Sequence, residues 1–226
     1  MEDSISPHHL VRLSYDAVAD DYAAGFGDEL ARKPLDRALL ACLAEQTGQG
    51  AAVADLGCGP GHVAAWLADR GVAAVGIDLA PGMVAVGRRE FPAVEFREGD
   101  LLELPAADGE FGAAVAFYSI IHLEAGELSR AFDEVHRVLR YDGLFLVSFH
   151  IGSEVRHLDE WLGHGVDVDF RFFQPAEIAA GLEGSGFRVE MRLERVSYPG
   201  EVETRRAYRL ARRRNLDVVE YTDVAL

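Results

Sequence analysis

Three aspartates and three glycines carry the chemistry that can be read from this 226-residue chain. Val53-Ala54-Asp55-Leu56 is a short apolar run that breaks into Gly57, Gly59 and Gly61, and His62 to Arg70 then carries helical periodicity. The pattern is a strand, a tight turn and a helix. Glycines there let the backbone take positive φ and let a ligand approach the main chain without Cβ obstruction. Pro60 presets φ near a helix start. In open parallel sheets such turns face outward beyond the carboxyl ends of the strands, where ligands bind. A dinucleotide site would place its third glycine at position 62, which is His62. A carboxylate at Asp55 repels phosphate and attracts an ammonium, which weighs further against a dinucleotide.

A second apolar strand, Val72 to Ile77, ends in Asp78, 23 residues after Asp55. An acid closing the second strand of such a sheet is placed to accept hydrogen bonds from both hydroxyls of a ribose. Val94 to Arg97 forms a third strand, followed by Glu98-Gly99-Asp100-Leu101. Asp100 on its own reads as a solvated loop carboxylate; its place after two other strand-end acids favours a binding role.

Asp55-Leu56-Gly57-Cys58-Gly59-Pro60-Gly61 resembles the first motif of the class I S-adenosylmethionine-dependent methyltransferases, and Gly76-Ile77-Asp78-Leu79-Ala80-Pro81-Gly82-Met83 resembles their second. The resemblance covers residues 51 to 150 strongly and the flanks in outline. It implies S-adenosyl-L-methionine as cofactor. It places Asp78 on the ribose with Leu79 beside it, Met83 against the adenine, Asp100 on the adenine amino group and the Leu101 backbone N–H on a ring nitrogen. Tyr15 and Tyr22, in a Tyr-Asp segment ahead of the first strand, would bring their hydroxyls near the methionine end of the cofactor. Packing of the same tyrosines against the core fits equally well, and a methionine in the first turns of a helix is by default a core filler.

The elements that position these residues follow from periodicity. Residues 14 to 46 read as two helices forming a lid over residues 1–48, with Ser14 as a capping residue. Phe111 to Phe117 is a fourth strand, nearly all apolar and buried on both faces. Its last residue and its exit, Phe117-Tyr118-Ser119-Ile120-Ile121-His122, would floor the space between cofactor and substrate. Glu127 to Arg140 is an amphipathic helix, Tyr141-Asp142-Gly143 a turn, and Leu144 to Phe149 a fifth strand. His150 to Phe173 has weak periodicity and collects Trp161, Phe170, Phe172 and Phe173. It is either a substrate wall, with Trp161 and Phe173 facing the acceptor, or a surface excursion pinned by its aromatics. Gln174-Pro175 starts another helix, Val189 to Arg195 is a strand, and Thr204 to Ala211 is a reversed last strand whose arginines read as a solvated face. The fold class is therefore α/β: a Rossmann-like three-layer sandwich with a mostly parallel seven-stranded sheet, an antiparallel last strand and an N-terminal helical lid. Residues 49–226 form the cofactor-binding domain, with 150–173 as a substrate-side insertion.

A formal net charge of -16 argues against a nucleic-acid surface, which needs a basic footprint. The fourth-strand exit also lacks the Asn-Pro-Pro-Tyr type of sequence that the adenine-N6 and cytosine-N4 methyltransferases of nucleic acids show. Cys42 and Cys58 read as reduced thiols, and no apolar run approaches the ~20 residues of a membrane span. The expectation is a cytoplasmic protein, monomer or homodimer, acting on a small molecule and making no membrane contact. Two histidines at strand exits, His122 and His150, are candidates for a general base, and with Ser119 they would contact the acceptor; each also reads as a hydrogen-bonded structural histidine. His150, His157 and His164 recur every seven residues, but metal sites show tighter pairs, and no metal is expected. The function read here is transfer of a methyl group to an O, N or C atom of a small-molecule acceptor. A non-catalytic cofactor-binding protein is the alternative. A nicotinamide-dependent oxidoreductase fits less well, because the third glycine is misplaced and no Tyr-x-x-x-Lys pair is evident.

Overall fold

The computed structural model describes residues 7–48 and 50–214. In chain order the elements are α1 (Pro7–Phe26), a 3-10 turn (Glu29–Arg32), α2 (Pro34–Gln46), β1 (Ala52–Leu56), α3 (His62–Ala68), β2 (Ala74–Asp78), α4 (Pro81–Glu90), β3 (Glu95–Glu98) and β4 (Phe111–Phe117). A second 3-10 turn (Ile120–His122), α5 (Leu128–Val138), β5 (Leu139–His150), β6 (Val155–Trp161), β7 (His164–Arg171), α6 (Pro175–Gly184), β8 (Phe187–Arg195) and β9 (Arg206–Arg213) complete it. Seven strands form one sheet in the order β3-β2-β1-β4-β5-β9-β8, and β6 and β7 form a separate hairpin. β1 to β5 pair in parallel, and β9 runs antiparallel to both of its neighbours. The fold class expected from the sequence is the one found, with β9 inserted between β5 and β8.

Side chains alternate across the sheet because strand residues point to opposite faces in turn. Ala54, Leu56, Phe145 and Val147 pack with Phe132 and Val135 of α5 and with Ile178 and Leu182 of α6. Val53, Val115, Leu144 and Leu146 pack on the other face with Leu40 and Leu43 of α2, Leu67 of α3 and Val84 of α4. This gives three layers, with every parallel strand exit on one edge of the sandwich. A third, smaller core joins Val18 and Ala19 of α1 to Met83 and Val86 of α4.

Four local readings are corrected. α1 begins at Pro7, so Ser14 is mid-helix; its hydroxyl lies 2.9 Å from the Asp167 backbone N–H of β7 and ties α1 to the hairpin instead of capping. β5 begins at Leu139, and the expected turn at 141–143 appears as a register shift against β4, with Asp142 at φ 61°. Residues 150–173 contain the hairpin, turned by Leu162 and Gly163 with φ of 51° and 81°. Arg206 and Arg209, read as a solvated face, are buried because β9 is an interior strand; Arg206 donates to the Thr204 and Val202 carbonyls and Arg209 to those of Tyr208, Pro175 and Leu193.

Candidate cofactor and acceptor cavity

The exits of β1, β2 and β4 open into one cavity of about 660 Å³, roofed by α1 and the hairpin. The glycine turn is suspended from β2: the Gly57 and Cys58 N–H groups donate to the Ile77 carbonyl, and the Gly59 N–H donates to Asp78 Oδ2 at 2.7 Å. Gly57 has φ 66°, and a Cβ there would stand 2.3 Å from Ser119 Cβ. Only glycine fits against the β4 exit at that point.

Asp55 and Asp78 both face the cavity, and burial governs both. It pushes Asp55 up to about 7 against one N–H from Ala64, and Asp78 up to about 6 against N–H groups from Ala80 and Gly59. Asp100 lines the same space beside Gly99 and Leu101 and is met by His8 of α1 at 2.8 Å. The Asp100 hydrogen bond, with Glu127 at 3.2 Å, holds the imidazolium up at about 9.

Tyr118 follows β4 with φ 56°, a conformation costly for a side chain with a Cβ and concentrated at functional sites. Its hydroxyl is 3.2 Å from that of Tyr208, which donates to Asp36 and accepts from Arg195. His122 is fully engaged. Its Nδ1 lies 2.9 Å from the Asp169 carbonyl, which can only accept, so Nδ1 carries the proton and Nε2 accepts from the Tyr15 hydroxyl at 2.8 Å. Burial holds His122 down at about 4, so the ring is neutral near pH 7. Tyr15 and Phe170 meet it edge to face, with ring centroids 5.2 and 5.0 Å away, and Trp161 packs edge to face on those two rings at 5.6 and 5.7 Å.

Of the residues singled out by sequence, Tyr15, Tyr22, Asp55, Gly57, Cys58, Gly59, Asp78, Leu79, Gly99, Asp100, Leu101, Phe117, Tyr118, Ser119, His122, His150 and Trp161 line the cavity. Leu56, Gly61, Met83 and Phe173 are among the sequence-expected residues that do not. Leu56 and Phe173 belong to the α5–α6 core, and Met83 is sealed between α1 and α4. Gly61 is the residue before α3 at φ 88°, and a Cβ there would meet the Phe96 ring at 2.4 Å, so its glycine serves packing. Sequence reasoning missed Glu29, Lys33, Arg156, Tyr198, Glu201 and Arg206, which also line the cavity. They come from four separated segments, and no local pattern links them. Among the described residues no His, Cys, Asp and Glu group could hold a metal; His157 instead meets Asp169 and His164 meets Asp21.

Residues 53–143 match the family model described as methyltransferase domain. A probable S-adenosylmethionine-dependent methyltransferase of Mycolicibacterium smegmatis is 38% identical over 146 residues, covering 62% of this chain and 53% of the relative. Over these residues the chain is similar to S-adenosylmethionine-dependent methyltransferases. A demethylmenaquinone methyltransferase of Beutenbergia cavernae is 36% identical over 138 residues, covering 61% of this chain and 54% of the relative. The chain thus spans about half the length of these curated relatives. Among solved structures, magnesium protoporphyrin IX methyltransferase of Synechocystis superposes with a TM-score of 0.73 at 17% identity, covering 94% of this chain and 100% of that one. The 1,6-didemethyltoxoflavin-N1-methyltransferase of Burkholderia thailandensis gives 0.71 at 21% identity, covering 95% and 93%. The parallel strand order β3-β2-β1-β4 accounts for why the three acids and the glycine turn meet at one edge.

Proposed function

We propose that this chain binds S-adenosyl-L-methionine and transfers its methyl group to an O, N or C atom of a small molecule. The observation that carries the reading is the meeting of Asp55, Asp78, Asp100 and the glycine turn around one cavity. The residues fit the cofactor. Asp78 keeps lone pairs beyond those used by Gly59 and Ala80 for a ribose diol, and Asp55 offers a buried carboxylate to a cation. When bound, the cofactor supplies an electrophilic methyl on a sulfonium. The protein's task is positioning in a water-poor cavity, which can contribute on the order of 7 to 11 kcal/mol.

Neither histidine serves as a strong base. His122 has both nitrogens committed within the protein, and His150 is held down at about 4 by burial and then by Arg206 and Arg156. We read them as positioning groups. Residues 7–48 act as the lid: α1 carries Tyr15 and His8 against the cavity. Three of the proteins compared above are named for demethylmenaquinone, magnesium protoporphyrin IX and 1,6-didemethyltoxoflavin, which favours a small-molecule acceptor here. Among the described residues no helix is long and apolar enough to cross a membrane.

Calorimetric titration with S-adenosylhomocysteine across pH tests the binding reading. Burial raises Asp55 and Asp78, so both are protonated at low pH, whereas a cationic ligand and a ribose diol favour the carboxylates. Affinity is therefore highest above pH 7 and declines as pH falls through about 7 and then about 6. Affinity that rises on acidification contradicts this placement.

A further inference from the structure

The part of the cavity lined by Tyr118, His150 and Phe172 has a chemistry of its own. Tyr118, His150 and Phe172 form a stack, with centroids 5.0 and 5.2 Å apart and tilts of 35° and 30°. Lys33 Nζ caps one end, 5.5 Å from the Tyr118 centroid, and the Arg156 guanidinium caps the other, 4.5 Å from that of Phe172. His150 is fixed within the stack by its Nδ1, 2.8 Å from Thr204 Oγ1. No protein group hydrogen-bonds its Nε2 among the described residues, and that atom is not sealed from solvent.

Charge on this wall is unevenly spent. Glu29 is taken by Lys33 at 2.7 Å and His62 at 3.1 Å, and Glu201 by Arg195 at 2.6 Å with Arg206 at 3.5 Å. Arg156 differs, because its acidic partner, Glu154 at 3.2 Å, does not line the cavity. The cations that act on His150 are Arg206, Arg156 and Lys33, against the single acid Glu201. A neutral ring with an open nitrogen in a positive field, walled by aromatic faces, is a poor place for an ammonium and a good one for an oxyanion.

We propose that Arg156 and His150 form an oxyanion-recognition site for the acceptor, which is a small molecule with a flat apolar body carrying a carboxylate or an ionised acidic hydroxyl. The inference rests on the methyltransferase reading for the word acceptor; the anion site itself stands on these contacts. Arg156 pairs with the oxyanion, and the Nε2–H of the neutral His150 ring donates to it, the Thr204 hydroxyl then donating to Nδ1 at 2.8 Å instead of to the Val202 carbonyl 3.5 Å away.

Four probes test the site by calorimetry, each with and without S-adenosylhomocysteine: benzoate, 4-nitrophenolate, benzamide and benzylamine. The proposal expects benzoate or 4-nitrophenolate to bind at least roughly tenfold tighter than benzamide, and benzylamine most weakly. The two anions separate a carboxylate from an ionised hydroxyl. Arg156→Gln is expected to erase the preference while S-adenosylhomocysteine binds within about twofold of wild type, and Arg156→Lys to restore part of it. Nitrogen NMR of wild type is expected to show the His150 Nε2 resonance shifting with benzoate. Equal binding of benzoate and benzamide, tighter benzylamine, or an unchanged preference in Arg156→Gln overturns the proposal. Anion preference in a folded protein that ignores S-adenosylhomocysteine overturns the methyltransferase reading instead.

Discussion

The two walls of the cavity are built by different means. The wall at the exits of β1 to β3 is made largely of backbone: glycine N–H groups hang on the Ile77 carbonyl and Asp78, and the acids close strands that are adjacent in the sheet. The facing wall is made of side chains from α1, the β6–β7 hairpin and the loop between β8 and β9, joined by ring contacts and ion pairs. A backbone-built site tolerates little change and can serve a common cofactor. A side-chain-built site changes by substitution without disturbing the sheet, which is where acceptor choice can diverge.

The largest effects should fall on the backbone-built wall, and they should divide there. Gly61→Ala forces a Cβ into the Phe96 ring at φ 88° and is expected to lower unfolding free energy by about 3 kcal/mol in urea denaturation. Gly59→Ala has open space, with Tyr22 as nearest neighbour at 3.9 Å, and is expected to lose only about 1 kcal/mol of stability. Its S-adenosylhomocysteine affinity should drop by roughly tenfold or more, because the new Cβ stands where the ligand approaches. Equal losses of stability in the two variants would break the division between packing glycine and binding glycine.

On the side-chain wall the next effect is acid sensitivity. His122 and His150 are held down at about 4, below their ordinary 6.5, so the unfolded chain binds protons more readily in that window. Stability is full above pH 6.5 and is lost as pH falls toward 4, by on the order of 2–3 kcal/mol for buried His122. His122→Gln should flatten that part of the profile. Tyr15→Phe leaves His122 Nε2 without its donor and is expected to cost about 2 kcal/mol in thermal or urea unfolding.

The smallest effect joins the walls. His8 is raised to about 9, so its clasp on Asp100 is present below pH 6.5 and lost as pH rises through about 9. For this partly exposed pair, His8→Ala should change stability by about 1 kcal/mol or less. Its readout is faster release of S-adenosylhomocysteine in stopped flow. Unchanged release would separate α1 from cofactor exchange.

The same contrast explains what the sequence revealed. β4 was legible to the residue, because Phe111 to Phe117 is buried on both faces, and the glycine turn was legible because its constraint is local. The hairpin was not: its turn uses Leu162 at φ 51°, where no Asn-Gly or Asp-Gly announces the bend. Arg206 and Arg209 misled because their burial depends on β9 lying inside the sheet and on carbonyls from other segments. Met83 looked like a ligand contact by position, yet α1 packs on α4 and makes it core. Lys33, the single lysine of the chain, stood out by composition alone, and only the fold sets it beside Glu29 and Tyr118.

The most direct test of the central claim is calorimetric titration of S-adenosylhomocysteine at pH 8 into wild type and Asp78→Ala, with circular dichroism confirming that both are folded. The account predicts micromolar binding to wild type and at least a roughly hundredfold loss in the variant. No binding to folded wild type, or equal binding to both, would contradict it.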